Sequence, residues 1–251
     1  MLIMSRSMVV LLLCCKCLSA SAETMTIAVA SNFITAMEEI VPLFEAESGH
    51  EVQVSYGSSG RIYAQIKNGA PFDVFLSADQ EKPAALEAEG QAVAGSRYTY
   101  ARGALVLWSK QTDMALEQAE VLREGSYNKL ALANPRLAPY GAAALEVLDN
   151  LGLQEATRDK RVLGENITQA YQFVDTGNAE LGFVALSQLM ASGALESGSS
   201  WIIPPTLYTP IRQDLVLLKR AEGKAAVQAF LEFLQSTQAK SVIVRLGYTV
   251  D

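Results

Sequence analysis

Short apolar segments of strand length alternate with amphipathic helical patterns along almost the whole chain, and this alternation limits the fold more than any other feature. Residues 26–30 predict a strand, followed by Ser31-Asn32 and a helix that places Phe33, Met37, Ile40 and Phe44 on one face. That helix ends near Gly49, and Pro42 inside it predicts a kink. Residues 51–56 predict a second strand and 61–67 a second helix, closed by Asn68-Gly69. A third strand is expected over 72–76, with Asp79 placed to cap a helix through Leu86. Further strands are expected at 104–108, 130–133, 182–184 and 214–218, and further helices at 141–148, 224–234 and 238–245. Repeated βα units predict an α/β fold with largely parallel sheets. In such sheets ligands sit beyond the C-terminal ends of strands, at helix starts.

The first 22 residues stand apart from this pattern. Arg6 gives a positive lead, Met8 to Cys15 is a short apolar core, and Ser19-Ala20-Ser21-Ala22 ends in an Ala-x-Ala cleavage pattern. Together they predict a secretory signal peptide over 1–22. All three cysteines, Cys14, Cys15 and Cys17, fall inside it, so the exported chain has neither a disulfide nor a thiolate metal site. Leu11-Leu12-Leu13 makes a poor lipoprotein box, which argues against acylation. The whole chain carries a formal charge of −7, and losing Arg6 and Lys16 with the leader makes the remainder more acidic. Such a balance argues against nucleic acid and anionic membrane surfaces as partners.

Several strand-to-helix junctions are short and polar: Ser31-Asn32, Gly57-Ser58-Ser59-Gly60, Pro139-Tyr140-Gly141 and Glu165-Asn166-Ile167-Thr168. Catalytic readings of them fail on residue type. Gly-x-Ser-x-Gly would need glycine at 61, where Arg61 stands. A Ser-His-acid triad has only His50 to draw on, and its place after Gly49 predicts a solvated loop residue. Ser126-x-x-Lys129 lacks the other motifs of the Ser-x-x-Lys enzymes. No Gly-Lys-Ser/Thr closes a phosphate loop, and one histidine makes a transition-metal site unpromising. What remains is a set of neutral donors at helix starts: the hydroxyls of Ser31, Ser59 and Tyr140, the amide of Asn32, and the backbone N–H groups beside them. This set suits holding a small anion. For the serine turn the plainer alternative is that Ser58 or Ser59 only caps the helix that follows.

The segments "AVASNFITAMEEIVPLFEAESGHEV", "YGSSGRIYAQIKNGAPFDVFLSADQEKP", "LALANPRLAPYGAAALEVL" and "LGFVALSQL" resemble, in order and spacing, the periplasmic molybdate-binding proteins of ABC transporters. The resemblance runs from about Met25 to "RLGYTV", and Gly69 to Asp79 is its most specific part. It implies a type II periplasmic binding protein fold: two α/β lobes, joined by two crossovers, with an oxyanion in the cleft. Lobe I is expected at 23–102 plus 209–251 and lobe II at 103–208. The implied oxyanion contacts are Ser31, Asn32, Ser59, Tyr140 and the backbone N–H of Ile167. They hold the oxygens of molybdate, and no side chain ligates the metal. Many members carry a ligand tyrosine just after the Gly-x-Val strand, where this chain has Ala185, so the tyrosine donor is assigned to Tyr140. The resemblance further implies no catalysis, no cofactor, a periplasmic monomer, and an inner-membrane ABC permease as partner, with tungstate bound as well as molybdate. Sulfate or phosphate binding is the alternative within the class, and a secreted serine hydrolase using Ser59 is the alternative outside it.

Overall fold

The computed structural model describes residues 22–190 and 194–250. The expected signal peptide and its cysteines lie outside the described residues, apart from Ala22. Ten strands are described: β1 (Thr24–Ala30), β2 (Glu51–Gly57), β3 (Val74–Leu76), β4 (Tyr98–Gly103), β5 (Leu105–Ser109), β6 (Leu130–Ala133), β7 (Arg161–Gly164), β8 (Leu181–Ala185), β9 (Ser199–Ile202) and β10 (Ile211–Leu217). They form two five-stranded sheets, ordered β2-β1-β3-β10-β4 and β7-β6-β8-β5-β9.

The two sheets are built alike. In the first, β1 is parallel to both β2 and β3, and β10 runs antiparallel between β3 and β4. In the second, β6 is parallel to β7 and β8, and β5 runs antiparallel between β8 and β9. The chain passes from the first sheet to the second between Gly103 and Leu105, and returns between Ile202 and Ile211.

Burial follows strand position. The inner strands β3, β5, β6 and β8 are buried along their whole length, as strands covered on both faces must be. On β5, Leu105 and Leu107 pack with the helix Pro139–Asn150, while Val106 and Trp108 pack on the opposite face with Val174 of the helix Ile167–Asp175. The first sheet is covered in the same way. The helices Ile34–Ser48, Ala225–Leu234 and Thr237–Arg245 lie on one face, and Ser59–Lys67 and Glu81–Ala88 on the other. Edge strand β2 instead alternates between half-buried and exposed residues.

The helix Ile34–Ser48 runs through Pro42 and closes on Gly49 in the left-handed region. Two local expectations need correction. His50 is buried rather than solvated: its ring lies near-parallel to Phe44, and Nδ1 accepts from the Glu23 backbone N–H at 3.2 Å. Strands β4, β7 and β9 were not expected. All three are edge strands carrying polar or aromatic residues that break an apolar run. Asp79 acts as anticipated, accepting from the Lys82 N–H in the first turn of its helix at 3.1 Å.

Gly141 fixes how closely the helix Pro139–Asn150 rides on the end of β6. A Cβ there would overlap the Ala133 carbonyl oxygen, which is backbone and cannot step aside. Gly141→Ala is expected to lower stability by about 1–3 kcal/mol, the usual range for overpacking. Urea denaturation measures this, and an unchanged midpoint would mean that the helix can lift off the strand at no cost.

Candidate functional site

Four helix starts converge where the two sheets meet. The first is the short 3-10 turn Ser31–Phe33 leading into Ile34–Ser48, and the others begin at Ser59, Pro139 and Ile167. Each start leaves N–H groups without intrahelical partners and carries the positive end of the helix dipole. Ser31, Asn32, Ser59, Tyr140 and Ile167 all line one small cavity at this point, together with Ala30, Gly57, Ser58, Ala78, Ala138, Pro139 and Asn166. No charged side chain lines it. The cavity volume is about 10 Å³, which leaves no room for a sugar or a peptide.

The individual groups are held as follows. Ser59 Oγ accepts from the Ala78 N–H at 2.9 Å, which leaves its own proton free to point into the cavity. Tyr140 is fully enclosed, and its hydroxyl oxygen faces Gln213 Nε2 at 3.3 Å. Burial first, and then the neighbouring oxygens of Tyr248, Tyr100 and Tyr208, push its phenol well above the ordinary range, so it stays protonated at neutral pH. Asn166 caps its own helix by accepting from the Gln169 N–H at 3.0 Å, which leaves the first N–H of that helix, at Ile167, uncapped.

Asn32 differs from expectation. Its amide Nδ2 donates to Gln213 Oε1 at 2.8 Å and to the Tyr248 hydroxyl at 3.0 Å, so the amide protons are used inside the protein. Asn32 thus lines the cavity with its amide already engaged. Phe33, the next residue, anchors this loop by edge-on contacts with Tyr100 and Tyr248, at centroid distances of 4.9 and 5.1 Å.

The two sides are joined around the cavity. The Gly60 N–H donates to the Leu137 carbonyl at 2.8 Å, Thr168 Oγ1 donates to the Ser31 carbonyl at 3.2 Å, and Ser187 Oγ donates to the Asn32 carbonyl at 3.0 Å. Arg61 pairs with Glu165 across the outer rim. Gly60 permits this approach because a Cβ would lie 3.0 Å from the Leu137 oxygen. Gly103, at the first crossing, seats the Tyr140 hydroxyl, which any Cβ there would overlap. Sequence reasoning missed Gly60, Gly103 and Gln213. Gln213 gave no signal, because it stands between Arg212 and Asp214 at the polar start of β10, although it is fully buried.

This is an arrangement for holding a ligand. His50, the only histidine in the chain, is engaged with Glu23 and Phe44, so Ser59 has no imidazole to serve as a general base. Two α/β lobes meeting around a donor-lined cavity define a solute-binding protein rather than an enzyme. The chain belongs to the bacterial extracellular solute-binding proteins, whose family model matches residues 25–249. It is 51% identical to the molybdate-binding protein ModA of Azotobacter vinelandii over 92% of this chain and 91% of that one. To the molybdate-binding protein ModA of Rhodobacter capsulatus it is 46% identical, over 93% and 91% of the two chains. Among solved structures, the Azotobacter vinelandii periplasmic molybdate-binding protein superposes with a TM-score of 0.88 at 38% identity, covering 90% of this chain and 99% of that one. The fold is thus that of the periplasmic binding proteins, as the sequence implied.

The two serines of the turn should separate by function. Ser59 has its oxygen fixed and its proton free, whereas Ser58 Oγ is buried without any partner. Ser59→Ala is expected to weaken oxyanion binding by about 1.5–3 kcal/mol, the scale for bonds to charged groups. Ser58→Ala removes an unsatisfied hydroxyl and should cost binding little. Titration calorimetry on both variants decides, and the reverse order would show that the wrong serine has been assigned.

Proposed function

We propose that this protein captures molybdate, and tungstate with it, in the cavity between its lobes and delivers the ion to an inner-membrane ABC permease. It needs no cofactor and performs no chemistry on the ion. The observation that carries the reading is the uncharged, donor-rich lining of the cavity. Phosphate at neutral pH retains a proton and needs an acceptor in its site, and no carboxylate lines this cavity. Molybdate, tungstate and sulfate carry no proton and need only donors. High identity to two molybdate-binding proteins supports molybdate over sulfate.

In this reading Ser31, Ser59 and Tyr140 donate through hydroxyls, and Ser31, Asn32, Ser59 and Ile167 offer backbone N–H groups. Six or seven such charge-assisted bonds suffice for sub-micromolar binding, about −8 kcal/mol or better, after desolvation of the ion. Lobe I comprises 23–102 plus 209–251 and lobe II 103–208. The two places where the chain changes sheet support these limits. The protein works as a periplasmic monomer, exported by cleavage of the leader after Ala22.

A thermal-shift panel of oxyanions tests the reading. A ligand at 100 times its dissociation constant adds about 2.7 kcal/mol to stability. Molybdate and tungstate are expected to raise the melting temperature strongly, sulfate weakly, and phosphate not at all. A phosphate shift equal to that of molybdate would contradict a donor-only site.

A further inference from the structure

Proton positions at the seam between the lobes can be counted outward from one oxygen. The Tyr248 hydroxyl lies 2.6 Å from the Asn32 carbonyl oxygen. Two oxygens that close need a hydrogen between them, and the carbonyl has none to give, so Tyr248 donates there rather than to Ser187 Oγ, 2.9 Å away, which has a proton of its own. The Tyr248 oxygen must then accept from the Asn32 side chain 3.0 Å away, which identifies that atom as the amide nitrogen. The same nitrogen gives its other proton to Gln213 at 2.8 Å, so the Gln213 atom facing it is Oε1. The Tyr100 hydroxyl approaches Oε1 as well, at 3.1 Å. The other end of the Gln213 amide, Nε2, is left facing the Tyr140 hydroxyl. Tyr140 is therefore the acceptor in that bond, and its own proton cannot point at Gln213.

We infer that Gln213 is a positioning residue that commits the Tyr140 hydroxyl to donate into the cavity, making Tyr140 a ready donor for a proton-free oxyanion. The inference rests on the oxyanion reading above and extends it to a residue that does not line the cavity. Gln213 is fully buried on β10, just after the chain returns to the first sheet, while Tyr140 begins a helix packed against the second. A residue of one lobe thus sets the proton of a donor in the other. With an oxygen in place of Nε2, the Tyr140 proton would turn away from the ligand.

Gln213→Glu makes that change. It keeps an oxygen for Asn32 and Tyr100 and replaces the Nε2 donor by an acceptor. Molybdate affinity would be measured by calorimetry for four proteins: unaltered, Gln213→Glu, Tyr140→Phe, and the double variant. Gln213→Glu is expected to weaken binding about tenfold more when the Tyr140 hydroxyl is present than when Tyr140→Phe has removed it. The added negative charge repels the anion in both backgrounds alike, so it cancels in this comparison. Equal losses in the two backgrounds would overturn the inference while leaving the oxyanion reading intact. Failure of the unaltered protein to bind molybdate would overturn the reading, and the inference with it. Should Gln213→Glu not fold, as judged by near-ultraviolet circular dichroism, Gln213→Met is uncharged and of similar size. Met also removes the acceptor for Asn32 in both backgrounds, so its loss of affinity is expected to be larger where the Tyr140 hydroxyl remains, and equal losses with and without that hydroxyl would overturn the inference.

Discussion

The joint between the two lobes is organised around one backbone carbonyl. The Asn32 oxygen accepts from Tyr248, near the C-terminus, and from Ser187, just past β8 of the second sheet. Both donors are buried, so neither can exchange its bond for one to water without cost. The carbonyl lies in the middle of the turn Ser31–Phe33 that follows β1, so a feature of the first βα unit is tied to the far end of the chain and to the opposite lobe. The direction of the Gln213 amide follows from this joint, and the Thr168 bond to the Ser31 carbonyl crosses the seam beside it.

A dianion in an uncharged cavity raises an energetic question, because removing charge from water is expensive. Oriented dipoles resolve it here. Helix starts supply several N–H groups at once, already fixed by the fold, so little ordering cost remains when the ion arrives. A lysine or arginine in the same place would add attraction. It would also bring a flexible side chain to order and a full positive charge to part from on release. Keeping charged side chains off the cavity lining suits a carrier that must give up its cargo. The nearest ion pair at the rim, Arg61 with Glu165, is exposed and contributes little to stability.

Much of this was legible in the sequence. The βα order followed from hydrophobic periodicity, and the polar junctions that line the cavity were visible as short hydroxyl-rich turns. What escaped detection shares a physical cause. Strands β4, β7 and β9 lie on sheet edges, where one side is open and the apolar signal is diluted by residues such as Arg102, Arg161 and Ser199. His50 looked like a loop residue because nothing local shows that Phe44 will cover it. Asn32 was identified as part of the site, but the use of its amide depends on Gln213 and Tyr248, which lie 181 and 216 residues away in sequence. Gly60 and Gly103 matter through what approaches them across the seam, and periodicity carries no trace of that.

The placement of Tyr140 on Gly103 has a consequence for what kind of receptor this is. Gly103 ends the last strand of the first sheet, whereas the tyrosine is carried by a helix packed on the second. Any rotation that parts the sheets carries the hydroxyl away from its seat and from Gln213 together. An opened protein would therefore hold two half-sites on one chain rather than a vacant pocket. The quantity that governs capture is then the effective concentration of one half-site around the other, set by the two short crossings. Insertions that lengthen those crossings, or substitutions that stiffen them, would tune affinity without touching a single group that faces the ion.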